Sequence, residues 1–329
     1  MKVGILVNVM EPEKSGHTTI RLAHRLASSG HEVWVMSAGN FALQPDDAVR
    51  ALARSARGLF RSSTDYLEAL NGHDARQGWI DVGELDLLLL RFNPFSMKSW
   101  AEDAGFDFAR EAQRRGVLVL NDPVGLSKAS NKLYLSGFPE EVRPRTLITR
   151  NPARIEDFLA EQEDVVLKPL RGFGGNGVFH VTRHDRTNLE QILGSITRDG
   201  YAVAQEYLPA AAHGDTRLFL MDGAPLRSEG RTAVVHRVRT GDDLRSNVHV
   251  GGRIRRARMT ETLERLAAAV SPKLRADGMF LVGLDVVGDK LLEINVFSPG
   301  GLGNVGRLEK TDFTAPVVAE LERKVAARG

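Results

Sequence analysis

Apolar runs alternate with helix-like segments over the first third of the chain. The run "KVGILVNV" opens the sequence, and Ile20, Leu22 and Leu26 then recur at helical spacing until Gly30. The runs "EVWVM", "DLLLLRF" and "VLVLND" follow, with the helix-like "FDFAREAQRRG" before the last of them. This alternation predicts an α/β domain over residues 1–122, built on a parallel sheet. Within it, residues 41–81 are less regular, and we expect helical patches there that cover one face of the sheet.

The pattern changes after residue 122 to short apolar runs separated by turn residues. The runs "RTLIT", "DVVLKPL", "GVFHV" and "YAVAQEYL" predict strands, and Asp222 with Gly223 predicts a hairpin turn. The basic stretch over residues 237–256 has no apolar period and is predicted to be a loop. Helices are expected at "TETLERLAAAVSPKLRADG" and at the C-terminus. The remainder is therefore α+β, which we divide into domains at 123–202 and 203–329.

Composition excludes several classes of site. The 329 residues are 42% hydrophobic with a formal charge of +2, so the chain can bury a core and nothing requires a nucleic acid or an anionic membrane. The absence of cysteine excludes disulfides, thiolate metal sites and a cysteine nucleophile. The first apolar run is too short to span a membrane and lacks a cleavage site, so we expect a cytoplasmic protein.

A glycine cluster lies between two predicted strands in "VVLKPLRGFGGNGVFHV". Lys168 precedes the cluster, whose glycines are Gly172, Gly174, Gly175 and Gly177. Glycines let backbone N–H groups approach a phosphate closely, and a lysine adds positive charge. The cluster lacks the ending of a Walker loop and the helix of a Rossmann loop. Nucleotide binding and a plain turn both remain open from this motif alone.

The second candidate site is the acidic hairpin "DVVGDKLLEINVFSPGG". Alternate strand residues share a face, so Glu293 and Asn295 point the same way. Asp285 joins them if the turn contains three residues, whereas a two-residue turn shifts the register by one. Two adjacent carboxylates require a cation between them, and Mg²⁺ suits oxygen ligands that it shares with phosphates. A solvent-facing hairpin with ordinary surface acids is the alternative.

Together these motifs resemble the ATP-grasp superfamily and, within it, the bacterial glutathione synthetases. The matching segments are "NKLY", "VVLKPLRGFGGNGVF", "AQEYLP", "GDTRLFLMDGAPL", "RVRTGDDLRSNVHVGGR" and "GMFLVGLDVVGDKLLEINVFSP". They cover most of residues 118–299 in the family's order. The resemblance implies an N-terminal parallel-sheet (pre-ATP-grasp) domain followed by a two-part ATP-grasp fold.

The resemblance also implies roles for individual residues. The implied nucleotide ligands are Lys132, Lys168, Gly174, Gly175, Gly177, Gln205, Glu206, Tyr207, Leu208 and Asp215. The implied metal ligands are Asp285, Glu293 and Asn295, and the implied catalytic residues are Arg217 and Arg237. The implied substrate residues are Arg245, Asn247, Gly251, Gly252, Arg253 and Ser298. In this scheme the glycine loop closes over ATP, and Asp215 meets the ribose.

The implied reaction is ATP-dependent formation of an amide bond through an acyl phosphate, with ADP as a product. Its implied cofactors are ATP and Mg²⁺, with Mn²⁺ as an alternative, and its partners are a small-molecule acid and an amine. The resemblance also implies a homo-oligomer, a dimer or a tetramer, and no nucleic acid or membrane partner.

The resemblance is weakest where the substrates would be chosen. The segment "RSEGRTAVVH" carries extra residues, Asn93 replaces an acid, and Gly300 with Gly301 replaces a threonine and a non-glycine residue. Three interpretations therefore remain: a glutathione synthetase acting on γ-glutamylcysteine and glycine, a related ligase for another acid and amine, and a nucleotide-binding protein without catalysis. Retention of the lysines, Arg217 and the metal-ligand set argues against the last.

Overall fold

Three large β-sheets follow one another along the chain. The computed structural model describes residues 1–10, 14, 16–172, 177–184, 188–198, 200–238 and 253–328. These residues form sheets of seven, four and six strands and a two-stranded ribbon. The first sheet is mixed, with three parallel and three antiparallel pairings. The other two large sheets are antiparallel. The predicted α/β domain followed by an α+β region is thus confirmed.

The N-terminal sheet has the order β3-β4-β2-β1-β6-β7, and β5 pairs with β4. Its strands are β1 Lys2–Val7, β2 Glu32–Ser37, β3 Phe41–Leu43, β4 Val49–Ser55, β5 Arg76–Asp81, β6 Leu87–Leu90 and β7 Leu118–Leu120. Its helices are α1 Thr18–Ser28, α2 Ser63–Asn71, α3 Ser99–Arg114 and α4 Pro123–Lys128. The apolar central strands are covered on both faces, as parallel strands require.

The expectation of helical patches over residues 41–81 is largely wrong. Helix α2 does pack on one face of the sheet through Tyr66 and Leu70, but β3, β4 and β5 extend the sheet by antiparallel pairing. Polar side chains interrupt these strands, and much of β5 is exposed. Since such strands bury only part of each face, their hydrophobic pattern is weak.

The four-stranded sheet has the order β10-β9-β11-β8. Its elements are β8 Thr146–Thr149, α5 Pro152–Gln162, β9 Asp164–Pro169, β10 Phe179–Thr182, α6 Leu189–Thr197 and β11 Ala202–Glu206. The helices α5 and α6 form a separate apolar core with one face of this sheet. The predicted domain boundary after residue 202 crosses β11, which pairs with both β8 and β9.

The six-stranded sheet has the order β17-β16-β12-β18-β19, with β13 on β12. Its strands, with those of the ribbon, are β12 Asp215–Met221, β13 Ala224–Pro225, β14 Arg227–Ser228, β15 Arg231–Thr232, β16 Val234–Val238, β17 Arg253–Arg256, β18 Leu281–Val287 and β19 Lys290–Asn295. The helices are α7 Glu261–Ala276, α8 Leu302–Glu309 and α9 Thr314–Ala326. Among the described residues, no helix combines the length and apolarity needed to cross a membrane.

Two turn predictions have different outcomes in this sheet. Asp222 and Gly223 form the predicted two-residue hairpin turn, with φ values of 50° and 76°. The predicted loop over residues 237–256 is wrong at both ends, because its first residues belong to β16 and its last four form β17. The intervening residues 239–252 lie outside the described part of the chain.

Asn121 connects the N-terminal sheet to the six-stranded sheet. Its buried side-chain oxygen accepts hydrogen bonds from the backbone N–H groups of Phe280 and Leu281, both at 2.9 Å. Its amide nitrogen donates to the backbone oxygens of Leu281 and Val296 at 3.2 and 2.5 Å. Because each buried polar group is satisfied by another, the two sheets are held in one fixed arrangement.

Two glycine-to-alanine substitutions are expected to change stability in opposite directions. A Cβ at Gly125 in α4 would lie 1.8 Å from the backbone oxygen of Asp277. Gly125→Ala should therefore lower the free energy of unfolding by about 1–3 kcal/mol through overpacking. Gly194 in α6 has open space at its Cβ position, so Gly194→Ala should raise that free energy by about 0.5–1 kcal/mol through helix propensity. Urea unfolding of both variants checks the pair, and equal effects would contradict this packing.

Candidate functional site

A cavity of about 300 Å³ is lined by residues of all three sheet regions. The four-stranded sheet contributes an apolar wall that includes Ile148, Val166 and Val203. Charged residues of the six-stranded sheet line another part, and Phe95 and Phe297 complete the wall with their rings 5.7 Å apart. The cavity therefore combines an apolar slot, a cluster of charges and an aromatic wall.

The acidic hairpin reaches the predicted convergence through a different turn. Val287 pairs with Lys290, so the turn contains only Gly288 and Asp289, and the predicted three-residue turn is wrong. Gly288 has a φ of 60°, as the first position of a type II′ turn requires. The expected register shift occurs but is then corrected, because Leu292 has no partner on β18 and forms a bulge.

The bulge determines which side chains line the cavity. Beyond Leu292, Asp285 pairs with Glu293 and Gly283 pairs with Asn295. Leu292, Glu293, Asn295 and Asp285 all line the cavity. The predicted convergence of the three oxygen-bearing side chains is therefore confirmed.

Asp285 is buried between two arginines. Arg217 donates from Nε to Oδ1 and from Nη2 to Oδ2, each at 2.7 Å, and Nη2 of Arg237 lies 2.8 Å from Oδ2. Arg237 also pairs with the buried carboxylate of Asp215. Burial alone would raise the pKa of Asp285, but the two arginines outweigh burial and lower it to about 2. Asp285 is thus ionised throughout the neutral range.

Glu293 has a contrasting environment. Its side chain is exposed to the cavity, and no described residue donates a hydrogen bond to it. Its crowded surroundings, and then the charge of Asp285, raise the pKa of its carboxyl group. Asn295 donates from Nδ2 to Oδ2 of Asp285 at 3.1 Å, which leaves its amide oxygen without a described donor.

These oxygen atoms fit a hard divalent cation. A cation beside Glu293 would remove the like-charge repulsion that raises its pKa. No group of three or more His, Asp or Glu side chains that could hold a metal occurs in the described ranges. The carboxylate pair and the amide oxygen of Asn295 would therefore share such a cation with water or with substrate oxygens, which is how Mg²⁺ usually binds at phosphate sites.

Two lysines lie beside this cluster. The buried Lys168 donates from Nζ to Oε1 of Gln205 at 2.9 Å. Burial, and then the charge of Lys132, lower the pKa of Lys168 to about 8. Lys132 donates from Nζ to the backbone oxygens of Pro169 and Gly172 at 2.8 and 3.1 Å, and burial lowers its pKa as well. The two ammonium groups form a positive site that suits a polyphosphate.

The predicted adenine-binding segment, residues 205–208, lines the cavity next to the apolar slot. Gln205 is fixed from both sides, because its Nε2 donates to Thr146 Oγ1 at 3.1 Å while its oxygen accepts from Lys168. The backbone N–H of Leu208 has no acceptor within the described part of the chain. An apolar slot with an available N–H group suits a flat heteroaromatic base.

Three other predicted site residues, Ser298, Asp215 and Arg253, differ in whether they reach the cavity. Ser298 lines the cavity, whereas Asp215 is buried under its ion pair with Arg237. Ile254 pairs with Arg237, so the preceding Arg253 lies on the opposite face of the sheet and is exposed. The structure therefore does not bring Arg253 to the cavity.

The glycine segment is described only at its ends. Gly172 and Gly177 have φ values of 141° and 68°, and a Cβ on either would contact Pro169. Both positions therefore favour glycine. Six predicted residues lie outside the described residues: Gly174, Gly175, Arg245, Asn247, Gly251 and Gly252.

The sequence analysis did not identify Arg91 as a buried charged residue. It directly follows the last leucine of β6. It is 7% exposed and donates to Thr19 Oγ1 and the backbone oxygen of Pro299, each at 3.2 Å. Burial lowers its pKa to about 10, and no described carboxylate contacts it. A charged residue directly after an apolar strand at the carboxyl edge of a parallel sheet was the available signal.

Comparisons with known proteins agree with this geometry. Residues 1–127 match the family model for the N-terminal domain of prokaryotic glutathione synthetase, and residues 131–310 match that for its ATP-grasp domain. Glutathione synthetase of Thermosynechococcus vestitus is 31% identical over 333 residues, covering 98% of this chain and 99% of the relative. That of Brucella melitensis is 37% identical over 238 residues, covering 71% and 72%.

Solved structures support the same fold. D-alanyl-alanine synthetase A from Vibrio cholerae superposes with a TM-score of 0.60 at 11% identity, covering 99% of this chain and 98% of that one. The protein is therefore an ATP-dependent, ADP-forming ligase that makes an amide bond, and it uses a divalent metal. Its chain belongs to the prokaryotic glutathione synthetase family of the ATP-grasp enzymes.

Proposed function

We propose that this ligase joins the carboxylate of γ-glutamylcysteine to the amino group of glycine, with Mg²⁺ as its metal and Mn²⁺ as a substitute. The observation that carries the proposal is the open carboxylate of Glu293 beside Asp285, Lys168 and Lys132 in one cavity. A relative that matches over nearly the whole chain is a glutathione synthetase, which supports these substrates. A cytoplasmic location and a homo-oligomer remain predictions.

The lysines and the adenine-binding segment would hold ATP. The base would enter the apolar slot beside Leu208, and the phosphates would meet the ammonium groups of Lys132 and Lys168. Asp215 is buried under Arg237, so contact with the ribose would require its carboxylate to leave that ion pair. Gly174, Gly175 and Gly177 would add backbone N–H groups to the phosphates.

Asp285, Glu293 and Asn295 would hold the metal, because they offer oxygen ligands beside the phosphate site. When bound, Mg²⁺ supplies charge neutralisation for the phosphate oxygens. The arginines on Asp285 also keep that carboxylate in place and ionised.

In the proposed reaction, a carboxylate oxygen of the acid attacks the γ-phosphorus, and the bond to the β-phosphate oxygen breaks to give an acyl phosphate and ADP. The amine then attacks the acyl carbon, loses a proton, and inorganic phosphate leaves. Arg237 lines the cavity and would stabilise the negative charge on the transferred group. Arg217 would act through Asp285, to which its guanidinium is bound. No covalent protein nucleophile is required.

A second candidate is a ligase for a bulkier amine or a different acid. The aromatic wall of Phe95 and Phe297 favours it, because glycine has no side chain to contact such a wall. Residues 245, 247, 251 and 252 remain the predicted substrate positions for either candidate.

The substrate assignment predicts ADP formation only when both γ-glutamylcysteine and glycine are present with Mg²⁺. We expect glycine to give the highest kcat/KM in a panel with alanine, phenylalanine and β-alanine, and γ-glutamylcysteine to exceed other γ-glutamyl dipeptides. A coupled ADP assay with mass spectrometry of the product measures this. A higher kcat/KM with phenylalanine would reject glutathione as the product and support the second candidate.

Glu293→Gln should abolish ligation and leave the protein folded. The amide keeps the volume but removes the charge, so turnover should fall by at least about 100-fold. Because its crowded surroundings and the charge of Asp285 raise the pKa of Glu293, the neutral side chain should leave the free energy of unfolding unchanged or raise it. Asp289→Asn, at an exposed acid in the same hairpin, is the matched control. Normal turnover by Glu293→Gln would disprove the metal assignment.

Nucleotide affinity should depend on the protonation of Lys168. The charged form binds phosphates, and its pKa of about 8 means that this form predominates below pH 8 and is lost above it. The Kd of a non-hydrolysable ATP analogue should therefore rise above pH 8 by up to about tenfold per pH unit. Lys168→Met should bind at least about tenfold more weakly at pH 7 and lose this pH dependence. Calorimetry measures both, and an unchanged pH profile in the variant would contradict the role of Lys168.

A further inference from the structure

One ion pair joins the N-terminal domain to the beginning of the glycine segment. Glu102 lies in the first turn of α3 and is 8% exposed. Arg171, which directly precedes Gly172, donates from Nη2 to both oxygens of the Glu102 carboxylate, at 2.6 and 2.5 Å. The pair therefore bridges two regions that are 69 residues apart in the sequence.

The burial of Glu102 distinguishes this pair from an ordinary surface salt bridge. Exposed pairs contribute little, because water and salt screen them and both side chains lose entropy. The side chain of Glu102 is only 10% exposed, although that of Arg171 is 58% exposed. A carboxylate removed from water needs a partner, and within the described ranges its hydrogen-bond donor is Arg171.

The chain segment that carries Arg171 also holds the ammonium group of Lys132. Nζ of Lys132 contacts the backbone oxygens of Pro169, Leu170 and Gly172 at 2.8, 3.5 and 3.1 Å. The backbone N–H of Lys132 also donates to Leu170 at 3.2 Å. The position of residues 169–172 therefore determines the position of this ammonium group in the cavity.

Glu102 and Lys132 thus hold the same four residues from two sides. Glu102 binds the side chain of Arg171, and Lys132 binds the backbone oxygens before and after it. If the contact with Glu102 is lost, residues 169–172 keep their contacts with Lys132 but lose their attachment to α3. Pro169 stays paired in the sheet and the Leu170 N–H stays bonded to Tyr201, so the freedom gained would fall on Gly172. The ammonium group would then lose a fixed contact on that side, and a ligand would have to order it on binding.

We propose that Glu102 and Arg171 are positioning residues that fix Lys132 for phosphate binding and so couple the N-terminal domain to the ATP site. The proposal rests on the phosphate role assigned to Lys132 above. Neither residue touches the nucleotide in this scheme. Their effect should therefore appear in nucleotide affinity and in the KM for ATP, and much less in kcat at saturating ATP.

The test is a double-mutant cycle on the full-length protein, with calorimetric binding of a non-hydrolysable ATP analogue and Mg²⁺. Glu102→Gln keeps the shape of the side chain and removes its charge, and Arg171→Gln removes the donor. Each variant should raise the Kd by about tenfold, the size expected when a charge-assisted contact is lost. The double variant should bind no more weakly than the weaker single variant, because both changes break one contact.

Asp103→Asn is the matched control, since this neighbouring acid in α3 is exposed and has no described partner. It should bind the analogue like the wild type. Unfolding by urea is measured for every variant, because Arg171→Gln leaves a buried carboxylate unpaired and should lower stability, whereas Glu102→Gln should remain folded. A folded Glu102→Gln variant with wild-type or tighter binding would overturn the proposal, as would additive effects in the cycle.

The binding readout separates this proposal from the substrate assignment. If wild type binds the analogue but does not ligate γ-glutamylcysteine to glycine, the substrates are wrong and the cycle still decides the role of Glu102. If wild type does not bind the analogue at all, the phosphate role of Lys132 fails, and the positioning role fails with it.

Discussion

The site depends on one buried carboxylate that two arginines hold. Asp285 on β18 is fixed by Arg217 from β12 and Arg237 from β16, so three neighbouring strands contribute to a single charge cluster. Breaking such a cluster leaves an uncompensated buried charge, which is far more costly than losing a surface pair. The strands that form the core are therefore also the strands that fix the charges of the site. A shift of one of these strands would disturb both the core and the charge cluster.

Two acids on adjacent strands consequently have different properties. Asp285 accepts hydrogen bonds from Arg217, Arg237 and Asn295 and has a low pKa, whereas Glu293 faces the cavity with a raised pKa. The difference arises from their partners, because both side chains lie on the same face of one hairpin. Asp285 organises the protein around it, and Glu293 remains available to a ligand.

Much of the fold and of the charged site could be predicted from the sequence, since the periodicity of apolar residues and the order of motifs depend on local chemistry. The β-α alternation before Asp122 follows from the periodicity of apolar residues, and the shared face of Glu293 and Asn295 follows from strand geometry. The bulge at Leu292 could not be foreseen, because a bulge depends on how two strands twist against each other. The ion pair of Glu102 with Arg171 was equally hidden, since 69 residues separate the partners and Glu102 belongs to no motif.

The bulge at Leu292 also limits how this hairpin can change during evolution. Side-chain direction alternates along a strand, so an insertion or deletion of one residue between Asp285 and Glu293 would turn one of them to the opposite face. The two-residue turn and the bulge compensate each other's effect on register. Homologous hairpins can therefore differ in turn type, provided that a bulge elsewhere returns the two acids to the same face of the sheet. Alignments of this region are better anchored on the two carboxylates than on the glycine of the turn.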